Sequence, residues 1–119
     1  MANPNIITAS AVYGKTAGMN VGTSEVAIVT NSSSSGKIYK INTLIVANID
    51  GTNVADVTVR VWKGGTAYSI ATTIPVPADA SLVVISRDNQ VYLQENDSLR
   101  LSASAASDLQ AVCSWEEVN

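Results

Sequence analysis

The sequence has 119 residues, of which 46% are hydrophobic and 14% are charged, so it is long enough for one domain with one apolar core. It contains no histidine, which excludes the commonest general base and zinc ligand, and its single cysteine excludes an intrachain disulfide. With a formal charge of −3 and scattered lysines and arginines, it lacks the basic surface that nucleic-acid binding requires.

Short segments of alternating apolar residues recur between clusters of Gly, Asn, Asp, Ser and Pro, and no long window shows helical periodicity. We therefore predict an all-β fold without significant helix. Its expected form is a single antiparallel β-sandwich domain (residues 1–119), jelly-roll or immunoglobulin-like, with roughly eight to nine strands. In chain order, the predicted strands are 6–13, 25–30, 38–48, 54–63, 66–73, 81–86, 90–94, 98–103 and 109–116.

Turn chemistry sets several boundaries. Gly64 and Gly65 predict a two-residue hairpin turn. Pro75 and Pro77 cannot donate ladder hydrogen bonds, so residues 73–80 are expected to be a loop or an edge strand. Residues 14–23 are undecided, which makes 1–23 a candidate arm or irregular segment.

The predicted strand 54–63 has one apolar face, assigned to the core: Ala55, Val57, Val59 and Val61. Arg60 and Trp62 then point outward and are candidate interface residues, because Trp and Arg are enriched at contact hot spots. Alternatively, Trp62 covers its own sheet or stacks under Arg60. The hairpin would place Trp62 opposite Ala67, and Tyr68 inward opposite Val61.

The segment 41–49 is apolar on both faces under strict alternation. One face would hold Ile41, Ile45, Ala47 and Ile49, and the other would hold Leu44 and Val46. Such a strand is either central in its sheet or covered by a neighbouring subunit. Leu44 and Val46 are therefore further candidate interface residues.

No catalytic, cofactor-binding or metal-binding residue is predicted, and the chain is not expected to be an enzyme. Cys113 lies in an alternating apolar segment, which favours a buried small hydrophobe over a functional thiol. Glu116 and Glu117 are adjacent on one strand and should face opposite ways. The spacing of Asp50, Asn53 and Asp56 lacks the complete calcium-loop motif, so a plain turn is expected there.

Several stretches taken together carry a family resemblance: residues 36–42 (GKIYKIN), 45–52 (IVANIDGT), 76–78 (VPA), 82–85 (LVVI), 91–100 (VYLQENDSLR) and 114–117 (SWEE). They resemble small virion structural proteins of tailed bacteriophages, particularly marine and cyanobacterial ones, across residues 5–117. In that pattern glycine replaces Asn96 and tyrosine replaces Trp115. The resemblance implies a β-sandwich that assembles on the particle, and it transfers no catalytic residue.

The expected function is a non-enzymatic virion protein that binds the major capsid protein as a decoration or cement subunit and forms a homo-oligomer, such as a trimer. It would be made in the host cytoplasm, because residues 1–5 lack signal-peptide features, and it would contact neither membrane nor nucleic acid. Two alternatives stay open. One is a neck or tail accessory protein, and the other is a carbohydrate-binding or adhesin module that stacks sugars on Trp62 and Tyr92.

Overall fold

The computed structural model describes residues 4–119. A 3-10 helix (Ile6–Thr8) precedes nine strands in this part of the chain: β1 (Val12–Val21), β2 (Val26–Asn31), β3 (Ile38–Asn48), β4 (Ala55–Lys63), β5 (Thr66–Val76), β6 (Ser81–Ile85), β7 (Val91–Leu93), β8 (Asp97–Ala103) and β9 (Leu109–Val118). The predicted all-β class is confirmed.

The strands form two antiparallel sheets that pack into a sandwich. The five-stranded sheet has the order β1-β9-β3-β6, with β7 also pairing with β3, and the four-stranded sheet has the order β2-β8-β4-β5. The first four strands alternate between the sheets, so neighbours in sequence are mostly not neighbours in a sheet. An immunoglobulin sandwich instead pairs its first two strands with each other. The observed winding is that of a jelly roll.

The predicted strand 6–13 is wrong over its first six residues. Residues 6–11 were expected to be strand, yet Ile6–Thr8 form a 3-10 turn that Asn5 caps by accepting a 3.0 Å hydrogen bond from the Ile7 amide. The strand begins at Val12 and runs through residues 14–21, which the sequence left undecided. Its sequence has weak alternation, but it pairs with β9 along its whole length, from Val12↔Val118 to Val21↔Leu109. Long-range pairing therefore overrides local propensity here. Residues 1–3 of the predicted arm lie outside the described residues.

Both sheets contribute aliphatic side chains to the core. The four residues of β4 that were assigned to the core are all buried, with Val57 and Val59 fully so. Every second residue of β9 from Leu109 to Cys113 is also buried. Without phenylalanine, the core is filled by branched aliphatic residues, which suit pleated strands.

A β-bulge in β3 changes the predicted faces. Ile41 pairs with Trp115, and Thr43 pairs with the next residue of β9, Ser114, so the register shifts by one at Asn42. Strict alternation fails at this point. Ile41 therefore points inward together with Leu44 and Val46, and its predicted sharing of a face with Ile45 is wrong.

Leu44 and Val46 do not lie on a surface. Both side chains are 0% exposed within one chain, because they point between the sheets. They are core residues and cannot contact a partner in the folded chain. The outward residue of this part of β3 is Ile45, which is 38% exposed.

The β4–β5 hairpin forms as predicted, with Trp62 opposite Ala67 and Val61 opposite Tyr68. Gly64 has φ +63°, a conformation that glycine adopts without strain. β5 is the edge strand of its sheet and includes Pro75, in agreement with the proline argument. Tyr68, however, is 59% exposed rather than buried, because nothing flanks β5 on its outer side among residues 4–119.

Two buried asparagines hold the connections at opposite ends of the sandwich. Asn31 donates to the carbonyls of Lys37 and Leu93 at 2.9 and 3.0 Å. Asn48 donates to the carbonyls of Asn53 and Val76, both at 2.9 Å. Each amide thus donates to one loop carbonyl and to one carbonyl at the end of a strand, Leu93 in β7 and Val76 in β5.

We predict that Asn48→Ala destabilises the fold, because it leaves the carbonyls of Asn53 and Val76 without a donor. At about 1–3 kcal/mol for each unsatisfied buried group, the free energy of unfolding should fall by roughly 2–4 kcal/mol in urea titrations. Asn20→Ala removes an exposed amide and should change it by less than about 0.5 kcal/mol. Equal losses in the two variants would contradict this role.

Candidate protein-interaction surface

The outward residues of β4 meet a charged group on the outer face of the four-stranded sheet. Arg60 lies directly opposite Arg100 of β8, and Trp62 lies opposite Ser98. Glu25, the residue before β2, reaches the same place. These four residues (Glu25, Arg60, Trp62 and Arg100) are called the Arg60–Trp62 cluster below.

The geometry of the Arg60–Trp62 cluster is set by one carboxylate and one ring. The Trp62 indole donates a 2.9 Å hydrogen bond from Nε1 to Glu25 Oε1, and Arg60 Nε lies 3.7 Å from Glu25 Oε2. The guanidinium carbon of Arg100 lies 4.5 Å from the Trp62 ring centroid, a cation–π contact. Trp62 therefore stacks under Arg100 and not under Arg60. Two arginines in directly opposed positions repel each other, and the indole and carboxylate offset that repulsion.

This arrangement suits recognition rather than chemistry. Trp62 is half-buried and points outward as predicted, and the Arg60 side chain is 41% exposed. The cluster carries one net positive charge on a chain whose formal charge is −3. The Trp62 ring is fixed by Glu25 and Arg100, and an aromatic ring beside arginines is the composition of an interface hot spot.

Glu25 and Arg100 were not among the residues predicted from sequence. Arg100 falls within a correctly predicted strand, but only the β4–β8 register brings it opposite Arg60. Leu44 and Val46 lie in the core on the other sheet, so the structure does not bring them to this surface.

A second polar cluster lies inside one end of the sandwich. Glu117 is only 6% exposed, and its carboxylate contacts Lys15 Nζ at 3.0 Å and Lys37 Nζ at 3.4 Å. The Trp115 indole donates to Glu117 Oε2 at 3.4 Å. Glu116 faces the opposite way, as predicted, and accepts a 3.1 Å hydrogen bond from the Asn42 amide.

The neighbours of Glu117 stabilise the charged form of its carboxylate. Burial by itself would raise its pKa, but the hydrogen bonds from Lys15, Trp115 and Lys37 outweigh burial and place the pKa below its usual value. Tyr39 packs beside it, and burial together with the charge of Glu117 raises the pKa of Tyr39. Both groups are thus kept in their ordinary charge states at neutral pH. This cluster is a structural ion network.

Cys113 is fully buried in the core, as predicted. Burial raises the pKa of its thiol to about 12. A thiol in that environment carries almost no thiolate at neutral pH, and the thiolate is the reactive form.

The opposite end of the sandwich is acidic. Asp50 accepts hydrogen bonds from the amides of Thr52 and Asn53, which lower its pKa. Desolvation and the charge of Asp50 raise the pKa of Asp108. The Asp50 carboxylate oxygens therefore accept hydrogen bonds within the turn that follows Asp50. Within residues 4–119, no group of three or more histidine, cysteine or acidic residues is arranged to hold a metal ion.

Trp62 and Tyr92, the two residues that the carbohydrate-binding hypothesis requires, face away from each other. Tyr92 is 42% exposed and belongs to β7, which pairs with β3 in the five-stranded sheet. Its neighbour Leu93 is fully buried, so Tyr92 points outward from that sheet. Trp62 points outward from the other sheet, so the two rings cannot stack against one sugar chain bound in a single groove.

No helix in the described part of the chain has the length and hydropathy needed to cross a membrane.

This chain resembles known proteins in fold and not in sequence. No protein-family model matches the sequence, and no curated protein matches it. The chain is similar to a solved structure of Bacillus endospore appendages, described as a novel family of disulfide-linked pili, with 17% identity and a TM-score of 0.56 over 92% of this chain and 87% of that one. At that identity the likeness shows a similar fold and nothing further.

Two structures of a pentameric capsid protein from metagenomic phage sequences also align with it. One has 18% identity and a TM-score of 0.44, over 87% of this chain and 62% of that chain. The other has 17% identity and a TM-score of 0.42, over 87% and 60%. These scores are too low to support an argument about this chain.

We predict that Glu117→Gln lowers the free energy of unfolding at neutral pH by about 1–3 kcal/mol, because hydrogen bonds to a charged group are lost or weakened. The folded-state pKa of Glu117 is depressed, so its contribution is complete above its unfolded pKa and is lost as the pH falls through the folded value. The variant should therefore show a shallower loss of stability on acidification, measured by urea titrations across the acid range. Glu116→Gln is the control, and an identical pH dependence for Glu117→Gln and the parent chain would contradict the role of Glu117.

We predict that Cys113 does not react with a thiol reagent at about pH 8 while the chain is folded, and that one thiol per chain reacts in guanidinium chloride. The reason is that the folded chain excludes both solvent and charge from the sulfur. Labelling of the folded chain at the rate of the unfolded chain would contradict this burial.

Proposed function

We propose that this chain is a structural subunit of a bacteriophage virion that binds the major capsid protein as a decoration or cement subunit. The resemblance of residues 5–117 to small tailed-phage virion proteins supports this role. A jelly roll that presents a candidate contact cluster on an outer face, and whose thiol and Glu117 carboxylate are buried, suits assembly better than catalysis.

The observation that carries the proposal is the Arg60–Trp62 cluster. It projects from the middle strands of a sheet, where the backbone is held from both sides, so the side chains are largely preorganised before binding. Its excess positive charge favours an acidic partner surface, and electrostatic complementarity would fix the orientation of docking. Capsid protein is the partner that the family resemblance implies.

Position on the particle distinguishes the decoration role from its nearest alternative. A decoration subunit is present in a number comparable to that of the capsid protein, whereas a neck or tail accessory protein is present in a few copies per particle. Quantitative mass spectrometry of purified particles of the source phage separates these outcomes. Absence of the chain from the particles would overturn both.

We predict that Trp62→Ala weakens binding of the purified chain to capsids lacking it by about 10-fold to 100-fold, since central aromatic residues dominate contact energies. Arg60→Ala should weaken binding less and reduce its salt dependence. Binding is measured by co-sedimentation with capsids, and circular dichroism melts confirm that each variant folds.

Tyr92→Ala changes an aromatic residue of similar exposure on the other sheet and should leave capsid binding unchanged. Loss of binding in Tyr92→Ala with retention in Trp62→Ala would overturn the assignment of the surface. Binding to a glycan array that disappears in Trp62→Ala would instead support the carbohydrate-binding alternative.

A further inference from the structure

The outer face of the five-stranded sheet is organised in cross-strand rows. Its central row is apolar and runs across four strands: Val83 of β6, Ile45 of β3, Val112 of β9 and Gly18 of β1. Val83 is 58% exposed and Val112 is 47% exposed. The sheet thus presents aliphatic side chains to solvent along one line, and we call this line the apolar row.

Uncharged polar rows flank the apolar row. On one side, Thr16 and Ser114 share a 3.0 Å hydroxyl hydrogen bond. On the other side, the Gln110 amide donates to Asn20 Oδ1 at 2.9 Å. An apolar centre with a rim of uncharged polar groups is the composition of a protein interface, where charged residues are depleted.

The apolar row has a projection at one end and a gap at the other. Val83 projects from the edge strand β6, whereas Gly18 on the edge strand β1 has no side chain. A shallow groove of about 310 Å³ lies at Gly18 and is bordered by Val112. A Cβ built on Gly18 would lie 3.7 Å from the Ala111 carbonyl oxygen, an ordinary van der Waals contact, so a side chain can be accommodated at this position without a clash.

The same face carries a matched charge pair further along the strands. Lys40 of β3 lies directly opposite Glu116 of β9, and both are partly exposed. β3 and β9 are the two inner strands of the four that form the rows. A rotation by 180° about a line running along the strands between β3 and β9 would therefore exchange these two positions.

We propose that this face binds the same face of a second copy of the chain, related by a twofold axis that runs along the strands between β3 and β9. In this arrangement Val83 of each copy fills the groove at Gly18 of the other, and Ile45 lies over Val112 of the second copy. Lys40 of each copy faces Glu116 of the other, so the charges are complementary. The interface is isologous, and aligned sheet packing within about 30° accommodates it.

The available area is close to what a stable dimer needs. β1, β9 and β3 are roughly 34 Å long and β6 is roughly 17 Å long, so at a spacing of about 4.8 Å they give a face of about 570 Å² per copy before side-chain relief is counted. Standard interfaces bury about 800 Å² per partner. This inference does not rest on capsid binding, which is proposed for the opposite sheet, so each proposal can fail while the other stands.

Cysteine cross-linking tests the axis. Within one chain, positions 18 and 83 lie roughly 14 Å apart, three strand spacings, so they cannot form an intrachain disulfide. The double variant Gly18→Cys/Val83→Cys should give a covalent dimer under mild oxidation, and the two single variants should not. Cys113 does not interfere because it is buried. A covalent dimer from Val83→Cys alone, or none from the double variant, would overturn this twofold arrangement.

Charge substitution tests the face. Sedimentation equilibrium should show a dimer for the parent chain and a monomer for Val112→Lys. The control Val26→Lys alters a valine of similar exposure on β2 of the other sheet and should leave the dimer intact. A parent chain that is monomeric at all concentrations, or a dimer that survives Val112→Lys, would overturn the proposal.

Discussion

The pairing of β9 with both β1 and β3 is the constraint on which the rest of this structure depends. β9 is the last strand of the chain, yet it lies between the first strand and β3 along its whole length. Its inward side chains, including Cys113, fill the core, and its outward side chains line the outer face of the sheet. Because β1 has little alternation of its own, the pairing with β9 is what makes it a strand.

The bulge at Asn42 links this pairing to the surface. By shifting the register of β3 by one residue, it turns Ile41, Leu44 and Val46 into the core together and leaves Ile45 outside. The same shift places Ile45 in line with Val112. A second register shift, between Leu44 and Ile45 in the pairing of β3 with β6, places Ile45 opposite Val83. Two local irregularities therefore decide both the composition of the core and the existence of the apolar row.

The two outer faces of the sandwich differ in physical character. The four-stranded sheet presents an aromatic ring held by arginines and one carboxylate. The five-stranded sheet presents an uncharged apolar row with a neighbouring charge pair. Two unlike faces suit two unlike partners, because the faces lie on opposite sides of the sandwich. The buried ion network of Glu117 and the buried asparagines keep the ends of both sheets in place.

The sequence by itself determined the fold class, most of the strands from Glu25 onward, the core face of β4, the outward direction of Trp62 and the burial of Cys113. These features follow from local alternation and turn chemistry, which a few neighbouring residues specify. Only the tertiary structure decided that residues 14–21 form a strand, that Leu44 and Val46 are buried, and that Arg100 and Glu25 join Arg60 and Trp62. Each of these depends on the register between strands far apart in the chain, and a shift of one residue in that register reverses the face of every side chain.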